Sequence, residues 1–294
     1  MEILSICPIC EGKQSQAVLI CEDYTVSHEK FTIVACSSCG FQFTNPRPKE
    51  SEIAKYYESD DYVSHSNSKK GVINSIYQFI RQFSIKKKVK MINTLSKKGN
   101  LLDIGSGTGE FLNAAKENGW IVRGIEPNEM AKEQSIGNFQ LNIGSQEDLS
   151  TLAAASFDII TMWHVLEHVH HLNDRVGELH RLLSQSGKVI IAVPNYTSAD
   201  AHHYGKNWAA YDVPRHLYHF SPNSIKQLFI KHNFTFVKSY PMKFDSYYVS
   251  MLTEKNVYHK NKLFSAFLAG ITSNLKTKND AEKYSSVIYV FAKV

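Results

Sequence analysis

Apolar residues along this chain fall into short unbroken runs separated by stretches with helical spacing. Leu101 to Ile104 and Trp120 to Ile125 read as buried parallel strands, and so does Lys188 to Val193. Between them the period lengthens. Phe111, Leu112, Ala114 and Ala115 mark a helix after the first strand, and Asp174 to Leu183 a helix ahead of Lys188. Ser221-Pro222 is a helix start, a capping serine with proline in the first turn, for a helix reaching about His232. Phe234–Phe244 and Ser286–Val294 read as the last two strands, with an insertion at about 247–284 between them. Its Leu263, Phe264, Phe267, Leu268 and Ile271 predict a helix that would roof a pocket. Upstream, Val72–Leu95 carries Ile73, Ile76, Tyr77, Ile80 and Phe83 at helical spacing, and polar 62–71 reads as a loop. Near the start, Gln16–Glu22 and Phe31–Ala35 alternate like two strands of a ribbon. The pattern divides the chain into a ribbon at 1–48, a helical linker or cap at 49–98, and an α/β domain at 99–294.

The first strand runs into three alternating glycines, Gly105, Gly107 and Gly109, before the helix restarts. Glycines there let a ligand approach the main chain closely, as at the entrance of nucleotide-binding α/β folds. The spacing is G-x-G-x-G, however, with Asp103 two residues ahead. A carboxylate would repel a pyrophosphate and suits a ligand bearing an ammonium and a sulfonium. Glu126 ends the second strand, 21 residues after Gly105, where an acid would accept bonds from ribose hydroxyls. An adenosine ribose without phosphate and with positive charge describes S-adenosylmethionine.

On these residues the chain resembles the class I S-adenosylmethionine-dependent methyltransferases. Leu101–Gly109 and Gly124–Asn128 match their first two motifs in order, with Ser106 and Pro127 beside the cofactor. Gly144–Leu149 is similar to their adenine-holding turn, implying contacts from Gln146 and Glu147, although that turn often opens with an acid where this chain has Ser145. Phe157–His168, with Trp163, resembles their fourth strand and the helix after it, and Leu183–Asn195 their fifth strand. The resemblance implies a Rossmann-like, mostly parallel, seven-stranded sheet with helices on both faces.

Composition adds limits. The 294 residues are 43% hydrophobic and 21% charged, ordinary for a globular protein with room for a small appendage. No apolar run approaches the ~20 residues that span a bilayer, and no secretory leader is visible, so a cytoplasmic location is expected. Of a net charge of +5, nine cations fall between Asp61 and Asp103 without one acid, which predicts a basic face and leaves peripheral membrane contact open. Cys7-x-x-Cys10 and Cys36-x-x-Cys39 form two knuckles, the donor set of a closed structural zinc site. Gly40 suits a positive-φ corner there, and Cys21 is left to fill strand space.

Histidines supply the candidate chemistry. His164-Val-Leu-Glu-His168 matches H-x-x-E-H, the inverted zinc-protease motif, but begins at a strand end rather than on a helix. His168 is placed near a methyl acceptor, while His170 and His171 read as solvated. Tyr211–Phe220 packs two tyrosines, two histidines and an arginine into ten residues. His216 is the first choice of base, with Tyr211 and Arg215 orienting or neutralising an anionic substrate. A ribbon ahead of such a core, with this loop, is similar to bacterial sugar C-methyltransferases. That family has Glu before the histidine where this chain has Arg215, and a long carboxyl-terminal domain not seen here. The expected acceptor is a small, lipid-linked or nucleotide-linked metabolite. The rival readings are an RNA-binding protein or RNA methyltransferase, against which the ribbon itself is not basic, and a non-catalytic scaffold, against which the glycine turn is intact.

Overall fold

The buried runs do pair as strands, and the order of pairing decides where a ligand can sit. A computed structural model describes residues 1–58, 72–258 and 280–294, with side chains from 81 to 257 in the second stretch. The elements in order are β1 (Ser15–Glu22), β2 (Lys30–Cys36), β3 (Gln42–Thr44), a 3₁₀ stretch (Glu50–Tyr57), α1 (Val72–Leu95), β4 (Asn100–Ile104), α2 (Glu110–Glu117), β5 (Ile121–Ile125), α3 (Glu129–Phe139) and β6 (Ile143–Gly144). They continue with β7 (Phe157–Trp163), α4 (Leu172–Leu182), β8 (Leu183–Pro194), α5 (Ala199–Tyr204), β9 (Tyr218–His219), α6 (Pro222–Lys231), β10 (Phe234–Pro241), α7 (Asp245–Tyr258) and β11 (Ser286–Lys293). The predicted loop at 62–71, the side chains of Ile73, Ile76, Tyr77 and Ile80, and the helix marked by Leu263 to Ile271 lie outside the described residues.

Seven strands form one sheet in the order β10-β11-β8-β7-β4-β5-β6, with β11 antiparallel to both of its neighbours. The pairs β7–β8, β4–β7, β4–β5 and β5–β6 are parallel. Strand order therefore reverses at β4, which opens a crevice beyond its carboxyl end. Successive residues of a strand face opposite sides. Leu101, Ile159 and Ile190 face one core, closed by Val89 and Ile92 of α1 and by Phe111, Leu112 and Ala115 of α2. Leu102, Ile160 and Val189 face the other, which extends to Val34, Phe41 and Phe43 of the ribbon. The capping box at Ser221 is present: its hydroxyl accepts from the Ser224 amide, and Ser224 answers to the Ser221 amide.

Three expectations change. The ribbon, read as two strands, gains a third, because the edge of β2 pairs with β3 and β3 in turn pairs with β9. Phe43 stands opposite Tyr218, so the ribbon sheet incorporates a strand from beyond β8. No helix follows β7 directly. His164 takes φ +57° and a single 3₁₀ turn, Leu166–His168, draws Leu166 and Glu167 inward before α4 begins. His170 is buried, its Nε2 3.1 Å from the Pro48 carbonyl, whereas His171 is exposed as predicted.

Candidate functional site

The glycine turn is shaped by what it must avoid and what it must admit. Gly105 (φ +74°) lies against Val165, and a Cβ there would collide with its Cγ2. Gly107 (φ +55°) faces open space, the side from which a ligand can reach the main chain. Gly109 caps α2 in the left-handed conformation. Glu126 is buried at the end of β5 and gathers two amides, Gly107 N–H at 2.7 Å and Asn128 N–H at 2.9 Å. Burial raises its carboxyl above the usual range, against those bonds. Asp103 is buried at the end of β4 and accepts from Thr161 Oγ1 at 2.6 Å. Burial pushes Asp103 up to about 7, while the Thr161 bond and the Lys88 ammonium oppose the rise. Two buried polar atoms here, Ser106 Oγ and Trp163 Nε1, have no hydrogen-bond partner among the described residues. An open glycine face, two acids and two unanswered polar atoms fit a cationic adenosine cofactor. Pro127 is exposed beside Glu126, and Gln146 and Glu147 are exposed in their turn. It is Asp148 that organises this turn, accepting from the Ser145 amide at 2.7 Å.

Lys88 of α1 joins this end of the site. Its ammonium lies 4.1 Å from the centroid of the Trp163 ring, and burial lowers it to about 8 although Asp245 and Asp103 act the other way. It therefore does not belong to the basic face, which Lys86, Lys87 and Lys90 continue on the exposed side of α1.

Beyond β7 and β8 lies a second cluster. The rings of His168 and His216 meet edge to face, centroids 4.6 Å apart. Leu217 N–H donates to the Glu167 carbonyl at 2.8 Å, which is what brings the two segments together. His216 Nδ1 lies 2.9 Å from the Ala210 carbonyl, and His168 Nδ1 lies 3.0 Å from both the Arg215 carbonyl and the Tyr57 hydroxyl. Burial, then the charge of His216, lower His168 to about 4, so it stays neutral. His164 is placed differently. Its Nε2 lies 2.9 Å from Asp245 and its Nδ1 3.3 Å from Glu167, and these carboxylates outweigh burial and raise it to about 10. The H-x-x-E-H histidines are thus committed to different partners. Tyr211 is buried among rings, 5.2 Å from Trp208 and 5.4 Å from His219, and burial raises its phenol far above the usual range.

A family model described as a methyltransferase domain matches residues 77–239, more than half of the chain. The chain belongs to this family. Methyltransferases also share its fold. An S-adenosylmethionine-dependent methyltransferase from Archaeoglobus fulgidus superposes with a TM-score of 0.50 at 21% identity, covering 72% of this chain and 94% of that one. A second, from Mesorhizobium loti, gives 0.47 at 15% identity, over 70% and 95%. The [4+2]-cyclase SpnF gives 0.51 at 14% identity, over 70% and 80%, so likeness of fold alone does not set the reaction. No curated protein matches the chain.

In this methyltransferase the four knuckle cysteines converge. Their sulfurs lie within 4.8 Å of one another, with Cys7–Cys39 at 3.6 Å and Cys10–Cys36 at 3.5 Å. Zn–S bonds of about 2.3 Å in a tetrahedron place sulfurs about 3.8 Å apart, so the set fits zinc. Gly40 has the positive φ expected, and Cys21 is buried apart from the cluster. Arg215 is not free to meet a substrate. Its side chain is 1% exposed and bonds Asp23 at 2.8 Å, Asp212 at 2.6 Å and the Tyr56 carbonyl at 2.8 Å. Charge is the reason: Asp23 lies buried in the ribbon and holds Arg215 as its counter-cation. Sequence reasoning also passed over Lys88, Tyr57, Glu167, Asp212 and Asp245. Only Glu167 carried a local signal, its place in H-x-x-E-H.

Proposed function

We propose that the enzyme methylates an oxygen or carbon of a small, lipid-linked or nucleotide-linked metabolite. Bound at the glycine turn, S-adenosylmethionine would supply a methyl group already activated as a sulfonium. Asp103 would face the cationic end of that cofactor, Glu126 its ribose, and Lys88 its carboxylate, while Pro127, Gln146, Glu147 and Trp163 border it. The enzyme's task is then alignment and exclusion of water. The observation that carries the acceptor side is His216. Its Nδ1 faces the Ala210 carbonyl, which can only accept, so the neutral ring keeps a lone pair on Nε2. That nitrogen activates the acceptor, with His168 beside it and Tyr211 bracing the loop one residue from Ala210.

Two substitutions test the division of labour. Glu126→Ala is expected to weaken cofactor binding roughly 10- to 100-fold by calorimetry, since two amides and the ribose lose their acceptor. His216→Ala is expected to spare that binding and slow turnover by roughly 10²- to 10⁴-fold. Mass spectrometry of cell extract incubated with methyl-labelled cofactor supplies the acceptor for the assay. Unchanged turnover in His216→Ala would remove His216 from the mechanism.

A further inference from the structure

Glu167 carries a charge that the protein leaves largely unanswered. Its carboxylate is wholly buried, and among the described residues neither oxygen receives a hydrogen bond. The nearest cation is His164, 3.3 Å from Oε1, and that imidazole is shared with Asp245 at 2.9 Å. His164 is thus shared between two carboxylates, of which Asp245 also feels the Lys88 ammonium, and a buried anion in the position of Glu167 is costly unless something else neutralises it.

What surrounds Glu167 is a pair of lone-pair donors. One nitrogen of His168, one of His216 and an oxygen of Glu167 all lie within 4.8 Å of one another. In both rings Nδ1 meets a backbone carbonyl, that of Arg215 or of Ala210. A carbonyl cannot donate, so it takes the Nδ1 proton of each ring, the Tyr57 hydroxyl beside His168 Nδ1 accepting as well, and a neutral ring then carries its lone pair on Nε2. This is how metal-binding imidazoles are oriented, with the remote nitrogen tied to the main chain. Asp212 adds negative charge, its Oδ2 3.9 Å from His216 Nε2.

We propose that Glu167, His168 and His216 bind a divalent first-row transition cation through two imidazole nitrogens and one carboxylate oxygen. Such a set leaves coordination positions open, unlike the four thiolates of the ribbon. The H-x-x-E-H sequence contributes only its last two residues, because both nitrogens of His164 already face carboxylates. His216 replaces it from beyond β8.

The proposal rests on the preceding section only for the place of the acceptor, and it changes how His216 acts. An acceptor hydroxyl would release its proton to bulk solvent as it binds the cation, before water is excluded, and the electron pair of the broken O–H bond stays on oxygen. That oxygen forms the new bond to the methyl carbon, and the pair of the broken S–C bond leaves with sulfur. His216 is then a ligand rather than the proton's destination.

Cobalt(II) is a suitable probe, added to the full-length protein with its ribbon already loaded with zinc. The expected result is one ion per chain showing visible d–d bands without thiolate charge-transfer absorption. Binding should weaken at least tenfold in both Glu167→Gln and His216→Ala. The second variant guards against misfolding of the first, and calorimetric titration of S-adenosylmethionine on the same samples reports their fold. Absence of binding, thiolate bands alone, or an affinity in both variants equal to that of the unaltered protein would overturn the proposal. A protein that takes up cobalt but not S-adenosylmethionine would refute the methyltransferase reading and leave the cation site standing.

Discussion

At the proposed cofactor end, Glu126 gathers the amides of Gly107 and Asn128, 19 and 2 residues away. At the proposed acceptor end, the carbonyl of His216 is held by Thr44 and the guanidinium of Arg215 by Asp23, across 172 and 192 residues. The first is mostly main chain within one βαβ unit and answers to a handful of short-range rules. The second is mostly side chains and leans on the docked ribbon through Thr44 and Asp23. Binding the cofactor and aligning the acceptor should therefore fail separately.

Arg215→Ala strains that separation most. It leaves Asp23 buried without its cation, and breaking such a pair costs about 3–5 kcal/mol. Chemical denaturation should register that loss, while protein still folded should bind S-adenosylmethionine within about threefold of normal. Loss of cofactor affinity in the folded protein would show that the two ends are one unit.

Protonation of Asp103 comes next in size. Its carboxyl is raised to about 7 in the fold from 3.8, so between those values the native state binds more protons than the unfolded chain. Asp103 therefore lowers stability progressively as pH rises through that window. Cofactor affinity should move the other way, because a cationic ligand prefers the anion. It should increase up to about tenfold from pH 6 to pH 8 and lose that dependence in Asp103→Asn, as followed by calorimetry. Equal profiles in the two proteins would take Asp103 out of cofactor binding.

Ser221→Ala is the smallest and the control. Removing the cap of α6 should cost about 1 kcal/mol in denaturation while leaving both cofactor affinity and turnover in place.

The same contrast explains what the sequence made legible. Gly105, Gly107, Gly109, Asp103 and Glu126 announce themselves because a turn and a strand end are local events, and the structure brings them together. The knuckle cysteines are readable for a similar reason, since each pair shares one turn. His168 and His216 were named separately, but nothing in their own neighbourhoods says that their rings touch. Arg215 looked like a substrate ligand because its partner Asp23 sits in the ribbon. Lys88 was hidden within a run of lysines, three of which face solvent, and only the packing of α1 on Trp163 separates it from them. Tyr57 lay in a segment whose pattern gave a helix and no partner.

The pairing of β3 with β9 also sets a timetable for biosynthesis. Thr44 leaves the ribosome 175 residues ahead of His219, to which it bonds. At roughly 5–20 residues per second, that is about 10–35 s during which the outer ribbon edge waits for its neighbour. The edge is three residues long, short enough to offer little purchase to other chains. Truncating the ribbon would reverse the exposure, stripping Tyr218 and His219 of the only ladder they have among the described residues and loosening the segment that carries His216.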